Sequence, residues 1–239
     1  MLEQWLRESR QTVIFSGAGM STESGLPDFR SARQGIWRDK DPAMYASTHA
    51  LWHNREVFVQ FYRMRIEAML ACQPHRGHRI IADWQRRGLV NRVVTQNVDG
   101  YHQEAGCERV IELHGSLRTV RCLVCERRYP AEKYLQEDGT VCACGGFLRP
   151  DVVLFGEMLP ERALAEAEQA MSAADLCIVL GSSLQVSPAN LYPQIAKRNG
   201  AKLVIVNLEP TALDGLADLV VHDCAIGEWL QAVNQSLGL

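Results

Sequence analysis

Short apolar, β-rich runs alternate regularly with segments of helical periodicity along this chain. TVIFSGAG (12–19), LVNRVVTQN (89–97), VIELHG (110–115), DVVLFG (151–156), LCIVLG (176–181), LVIVN (203–207) and DLVV (218–221) read as strands. Helical spacing appears over residues 55–70, where Val57, Phe58, Phe61, Met64, Ile66 and Met69 recur on one face. Further helices are predicted over 75–87, closed by Gly88, over 161–171, near 188–199, and from about 226 onward. Continuous apolar strands between helices predict an α/β fold, a mainly parallel sheet covered on both faces. In such sheets ligands sit beyond the carboxyl ends of the strands. Those ends are rich in small and polar groups here: Ser16-Gly17-Ala18-Gly19, Thr95-Gln96-Asn97, Gly181-Ser182-Ser183 and Asn207.

At 239 residues the chain has room for one large domain and a small inserted module. Its 25 basic and 28 acidic residues carry no block of like charge. That argues against a protein built around attraction to nucleic acid or an anionic membrane. The N-terminus places Glu3, Arg7, Glu8 and Arg10 before a short apolar run, unlike a secretory signal. The uncharged stretch 176–196 is broken by Gly181, Ser182, Gln185, Pro188, Asn190 and Pro193, a poor bilayer span. A cytoplasmic protein is expected, monomeric by default.

Four of the eight cysteines cluster as Cys122-x2-Cys125 and Cys142-x-Cys144, separated by sixteen residues. In a reducing compartment, two such thiolate pairs suit tetrahedral zinc better than disulfides. Four cysteine ligands leave no open coordination position, so the predicted zinc is structural. Cys72, Cys107, Cys177 and Cys224 are scattered.

Gly17-Ala18-Gly19 after the first strand permits a tight turn and a close backbone approach to a pyrophosphate, though such a turn is as readily structural. Thr22 stands where the usual dinucleotide fingerprint has a third glycine. The second strand starts near residue 89, so no ribose-binding acid falls in its expected place. A hydride-transfer dehydrogenase is therefore disfavoured. His114 ends a strand and is followed by Gly115. A histidine there is commonly a packing residue, but Asn97 and Asp99 belong to the same edge. A neutral imidazole has the basicity a general base needs near pH 7. Gly181-Ser182-Ser183 lacks the nucleophile-elbow pattern, which disfavours a serine hydrolase. His49 and His53 are four apart with no third ligand near in sequence; His75, His78, His102 and His222 read as surface or helix-packing residues.

Taken in order, GAGMSTESGLPDFR (17–30), TQNVDGYHQEAG (95–106), ELHGS (112–116), the cysteine module, VVLFGE (152–157), GSSLQV (181–186) and VNLEPT (206–211) resemble the sirtuins, NAD-dependent protein-lysine deacylases of bacterial type. The resemblance covers nearly the whole chain. It implies a Rossmann-like doubly wound domain (1–117 and 151–239) with a helical insertion at about 31–88 and a zinc module at 118–150. It implies an NAD site of Gly17, Ala18, Gly19, Thr22, Asp28, Phe29 and Arg30 over the cofactor, and Gln96 on a ribose. Asn97, Val98 and Asp99 would line the nicotinamide pocket. Gly181, Ser182 and Ser183 would meet phosphate or ribose, Asn207, Leu208 and Glu209 the adenosine ribose, and Cys224 or Ala225 the adenine. His114, with Asn97, would be catalytic: His114 takes a proton from a ribose hydroxyl after the acyl oxygen has displaced nicotinamide. The products would be free lysine and O-acyl-ADP-ribose.

The resemblance further implies that an acyl-lysine peptide adds as a strand between Val153, Leu154, Phe155, Gly156 and Glu157 on one side and Gln185 and Val186 on the other. Tyr62 and Arg65, three apart on one helix, resemble the signature of the branch that removes succinyl and malonyl groups. Ser31-Ala32-Arg33, where that branch tends to have Gly-Ala-Gly, is closer to the bacterial deacetylases. The rival readings are a mono-ADP-ribosyltransferase and a non-catalytic NAD or ADP-ribose sensor.

Overall fold

In the computed structural model of the protein, residues 1–28, 35–36 and 41–239 are described. Their strands are β1 (Thr12–Ser16), β2 (Arg92–Thr95), β3 (Val110–Glu112), β4 (Gly115–Cys122), β5 (Arg128–Pro130), β6 (Leu148–Val152), β7 (Leu176–Leu180), β8 (Lys202–Val206) and β9 (Leu219–Val221). Their α-helices are α1 (Leu2–Glu8), α2 (Pro42–Tyr45), α3 (Thr48–His53), α4 (Arg55–Ala71), α5 (Arg76–Arg86), α6 (Tyr101–Glu104), α7 (Glu161–Ala173), α8 (Leu191–Arg198) and α9 (Ile226–Ser236).

Six strands form one parallel sheet in the order β3-β2-β1-β7-β8-β9. Successive residues of a strand face opposite sides, and both sides are covered. Ile14, Val93, Ile178 and Val204 pack with Leu6 of α1, Ile81 and Trp84 of α5, and Leu230 of α9. Val13, Phe15, Val94, Cys177, Val179 and Ile205 pack on the other side with Met171 of α7 and Ala196 of α8. This is the doubly wound arrangement expected from the alternation. The chain reverses its winding between β1 and β7, and the ends of β1, β2, β7 and β8 point the same way.

The run 151–156 departs from expectation. Asp151 and Val152 end β6, which pairs antiparallel with β4 in a second sheet of order β5-β4-β6. An apolar run states that it will be buried, not which sheet will bury it. This small sheet shares a core with the helical insertion. Val120, Leu148 and Val152 pack with Phe58, Phe61, Tyr62 and Ile66 of α4.

The two sheets meet at His114. β3 ends at Glu112 and β4 begins at Gly115, so His114 sits in the crossover. Gly115 has φ +73°, and a Cβ on it would lie 2.2 Å from the Asp151 carbonyl oxygen. Only glycine fits this crossing, which turns the chain into β4 directly after the histidine.

Candidate active site

One cavity of about 1120 Å³ opens over the carboxyl ends of the parallel strands. Its wall includes the described residues predicted for NAD: Gly17, Ala18, Gly19, Thr22, Asp28, Gln96, Asn97, Val98, His114, Gly181, Ser182, Ser183, Asn207, Leu208, Glu209, Cys224 and Ala225. Phe29 and Arg30 lie outside the described residues, as does the 31–33 segment. Asp99 lies behind the wall, nearly buried. Tyr62, Arg65, Val153, Leu154, Phe155, Gly156, Glu157, Gln185 and Val186 line the same cavity. Ala46, Met158 and Asp223 line it too, and no spacing in the sequence marked them.

The glycine turn is dictated first by packing. A Cβ on Gly17 would lie 2.7 Å from the Gly181 carbonyl oxygen, and one on Gly19 would lie 2.8 Å from the Gly181 Cα. The turns after β1 and β7 therefore cross in contact, and the Gly19 N–H donates to the Gly181 carbonyl at 2.9 Å. That close crossing keeps side chains out of the cleft floor, where a dinucleotide's backbone-bound portion needs space.

A buried polar network stands behind the end of β2. Asp99 accepts from the Tyr101 N–H at 2.9 Å and from the Ser21 hydroxyl at 2.7 Å. Since that hydroxyl's proton goes to Asp99, Ser21 Oγ accepts from Asn97 Nδ2 at 3.2 Å. This orients the Asn97 amide and leaves its buried Oδ1 without a partner among the described residues. Such an acceptor in the wall suits a ligand that brings its own N–H, as a carboxamide does. Burial pushes the Asp99 carboxyl above the usual range, opposed by the Tyr101 N–H, Ser21, Arg118 and Arg65. Ser21, central to this network, was not singled out from the sequence.

His114 is half-buried, and its Nδ1 lies 2.9 Å from the Gln96 carbonyl oxygen. A carbonyl only accepts, so Nδ1 carries the proton and Nε2 holds the lone pair of the neutral ring. Gln96 in turn donates from Nε2 to Ser182 Oγ at 2.8 Å, tying the β2 and β7 ends together.

At the other end, Tyr62 is buried and its hydroxyl is pushed up to about 12 by desolvation, opposed by Arg65. Burial lowers the Arg65 guanidinium from its usual value, while Tyr62 and Asp99 support its charge. The run 153–157, expected to meet the peptide, is a loop rather than a strand. Its amides are largely engaged: Val153 N–H on the His114 carbonyl at 2.9 Å, Phe155 N–H on Ala46 at 2.9 Å, and Leu154 N–H on the Glu157 carboxylate at 2.9 Å.

Two histidines read as surface or helix-packing residues are deep in the core. His78 and His102 are 0% and 1% exposed, their rings 5.0 Å apart. His102 Nε2 lies 2.9 Å from Ser16 Oγ, which donates to Thr95 Oγ1 at 2.8 Å; Thr95 also accepts from the Asn97 N–H. A helix-packing role holds for His78, while His102 also braces the ends of β1 and β2. Desolvation lowers the His102 pKa to about 3 and moves His78 in the same direction. The unfolded chain therefore binds protons from about pH 6.5 downward that the folded chain refuses. The contribution of these two groups is constant above that pH and falls below it, the slope approaching about 2.7 kcal/mol per pH unit for two protons. Partly exposed His222, raised by the Asn207 carbonyl and Asp214, opposes this weakly. Urea midpoints at pH 7.5, 6.5 and 5.5 check this; a His102→Phe variant with the same pH slope as wild type would refute it.

Away from the cavity, the Sγ atoms of Cys122, Cys125, Cys142 and Cys144 all lie within 4.8 Å of one another. Three of their separations are 3.4, 3.6 and 3.6 Å. A zinc tetrahedron with bonds of about 2.3 Å has edges of roughly 3.8 Å, whereas a disulfide needs about 2.05 Å. The donor set fits zinc, which these four residues would hold. His49 and His53 stack at 4.7 Å but belong to no such cluster among the described residues. Among the described residues no helix is long and apolar enough to cross a membrane.

Comparison with known proteins shows the family. Residues 17–188 match the sequence model of the Sir2 family. The chain belongs to the Sir2 family. It is 61% identical, over 99% of its length and 97% of the relative's, to NAD-dependent protein deacetylase 1 of Geobacillus kaustophilus. It is 53% identical to an NAD-dependent protein deacetylase of Halalkalibacterium halodurans, covering 99% of each chain. Among solved structures, a Sir2–p53 peptide–NAD+ complex superposes with a TM-score of 0.89 at 40% identity, over 99% of this chain and 97% of that one. Sir2Tm bound to a propionylated peptide gives 0.88 at 39% identity, over 99% and 97%. This Sir2 chain therefore matches its relatives over the parallel sheet, the helical insertion and the cysteine module alike.

Proposed function

We propose that this Sir2 protein is an NAD-dependent protein-lysine deacetylase with one structural zinc, and that acetyl-lysine segments of other proteins are its substrates. The observation that carries the reading is His114: an imidazole oriented by the Gln96 carbonyl, on the wall of a cavity shared by the glycine turns and the loop 153–157. NAD as co-substrate supplies the electrophilic ribose carbon and the nicotinamide leaving group. Gln96 and Ser182 would bind its ribose and phosphate portion. Asn97, held by Ser21, would orient the carboxamide end. His114 would take a proton at Nε2 from a ribose hydroxyl, made a better nucleophile by that transfer. Leu154 and Tyr62 enclose the acyl end and exclude water from it; both are nearly buried. Mixing the protein, NAD and an acetyl-lysine peptide should release nicotinamide and O-acetyl-ADP-ribose in equal amounts. Nicotinamide release with ADP-ribose left on protein would indicate a transferase instead.

Tyr62 and Arg65 favour a second activity on short dicarboxylic acyl groups. Both line the acyl end, and a guanidinium pairs a carboxylate with two hydrogen bonds. Such contacts contribute about 1.5–3 kcal/mol, or roughly ten- to a hundredfold in preference. Arg65→Met should therefore lower kcat/KM on succinyl-lysine peptide by about that factor while changing deacetylation little. Equal losses on both peptides would remove Arg65 from acyl recognition.

A further inference from the structure

Arg149 is 1% exposed, a charged residue on β6 in the interior of the small sheet. Its guanidinium meets the Glu157 carboxylate at 2.5 and 3.1 Å, from both terminal nitrogens. It also donates to the Val152 carbonyl, and from Nε to the Pro150 carbonyl at 3.1 Å. Four hydrogen bonds thus occupy a group with five N–H donors. Glu157 is equally committed: the oxygen that meets Arg149 at 3.1 Å accepts from the Leu154 N–H at 2.9 Å, and the Glu157 N–H returns to the Leu154 carbonyl at 2.9 Å.

An ion pair with one partner buried and the other partly exposed is weak evidence for stability, because apolar residues of similar volume often do as well. It does fix geometry. What it fixes here is the five-residue loop 153–157, gripped at its entrance through the Val152 carbonyl and at its exit through Glu157. That loop lines the cavity, and its Val153 N–H binds the carbonyl of His114 itself. Arg149 pairs with Arg121 in the register, one step from the Cys122–Leu148 pair, so the brace is anchored beside the cysteine cluster.

We propose that Arg149 is a positioning residue for substrate: its bidentate pair with Glu157 holds the loop 153–157 as the preformed edge onto which the acyl-lysine peptide docks. The inference rests on the deacetylase reading. Arg149 does not line the cavity; it acts on the peptide only through the loop. Loss of the brace therefore weakens the peptide and spares the dinucleotide, whose wall is built by the ends of β1, β2, β7 and β8. A merely structural role would lower both affinities together.

The test compares wild type, Arg149→Met, Glu157→Gln and the double variant Arg149→Met/Glu157→Met, the last replacing the pair by apolar groups to recover folding. Acetyl-lysine peptide affinity is measured by fluorescence anisotropy, ADP-ribose affinity by calorimetry, with zinc content and melting temperature alongside. Peptide Kd should rise about tenfold or more in each folded variant, as the loop 153–157 loses its grip at Glu157, while ADP-ribose Kd stays within about twofold. The double variant should regain melting temperature but not peptide affinity. A folded variant that binds peptide like wild type, or that loses peptide and ADP-ribose by the same factor, overturns the proposal. Wild type that binds ADP-ribose yet neither binds nor deacetylates the peptide overturns the deacetylase reading itself.

Discussion

His114→Ala should abolish deacetylation while leaving a folded, zinc-loaded protein. A positioned general base contributes about 10²–10⁴-fold, so turnover should fall by at least that range. The half-buried ring is held by a hydrogen bond to the Gln96 carbonyl. Its removal should cost about 1 kcal/mol of stability, a shift of roughly 2–4 °C in a chain of this size. ADP-ribose affinity should change little, because Gln96, Ser182 and the glycine turns remain. Single-turnover kinetics with an acetyl-lysine peptide, beside a melting curve, separate chemistry from folding. Turnover retained within an order of magnitude of wild type would strip His114 of the role assigned to it.

The second large effect is expected from metal removal. Cys122 and Cys142 belong to the same buried cluster as Val120, Leu148, Phe58, Phe61 and Tyr62. Without a cross-link, the short strands of the β5-β4-β6 sheet have little to hold the two cysteine turns together. Metal binding in such modules is folding free energy, of order 10 kcal/mol in small peptides. Stripping zinc with a strong chelator should therefore lower the melting temperature by more than about 10 °C, at roughly 2–4 °C per kcal/mol. The loss should reach the cavity through α4 and through β6, and acetyl-lysine peptide binding should disappear before ADP-ribose binding does. Zinc add-back should restore both. Metal-free protein with an unchanged melting curve would show that the four thiolates hold nothing the fold needs.

Much of the parallel sheet was legible because buried strands must be apolar and the turns after them must be small. β1, β2, β7 and β8 lie where the apolar runs placed them, and Gly17 and Gly19 mark the end of β1 as Gly181 marks that of β7. The cysteine cluster was legible for a different reason: ligands brought to one metal ion by tight turns must be close in sequence. The small sheet was not legible. Its strands contain Arg118, Arg121, Arg128, Arg149 and Asp151, and show no clean alternation, since side chains at the junction of sheet and insertion are buried irregularly. His102 and Arg149 were missed because a polar residue type predicts exposure, and only a partner found across the fold reverses that.

The layers, the strand ends and the thiolate cluster follow from local pattern: which residues are apolar, where glycine permits a turn, how far apart two cysteines stand. Tertiary structure alone decided that Asp151 and Val152 join the antiparallel sheet, that the Asn97 amide is oriented through Ser21, and that a buried arginine grips the loop beside His114. Those outcomes are pairings between segments distant in the chain. A backbone or side-chain polar group withdrawn from water takes whichever partner the packing brings within reach, and no single segment carries the address of the other.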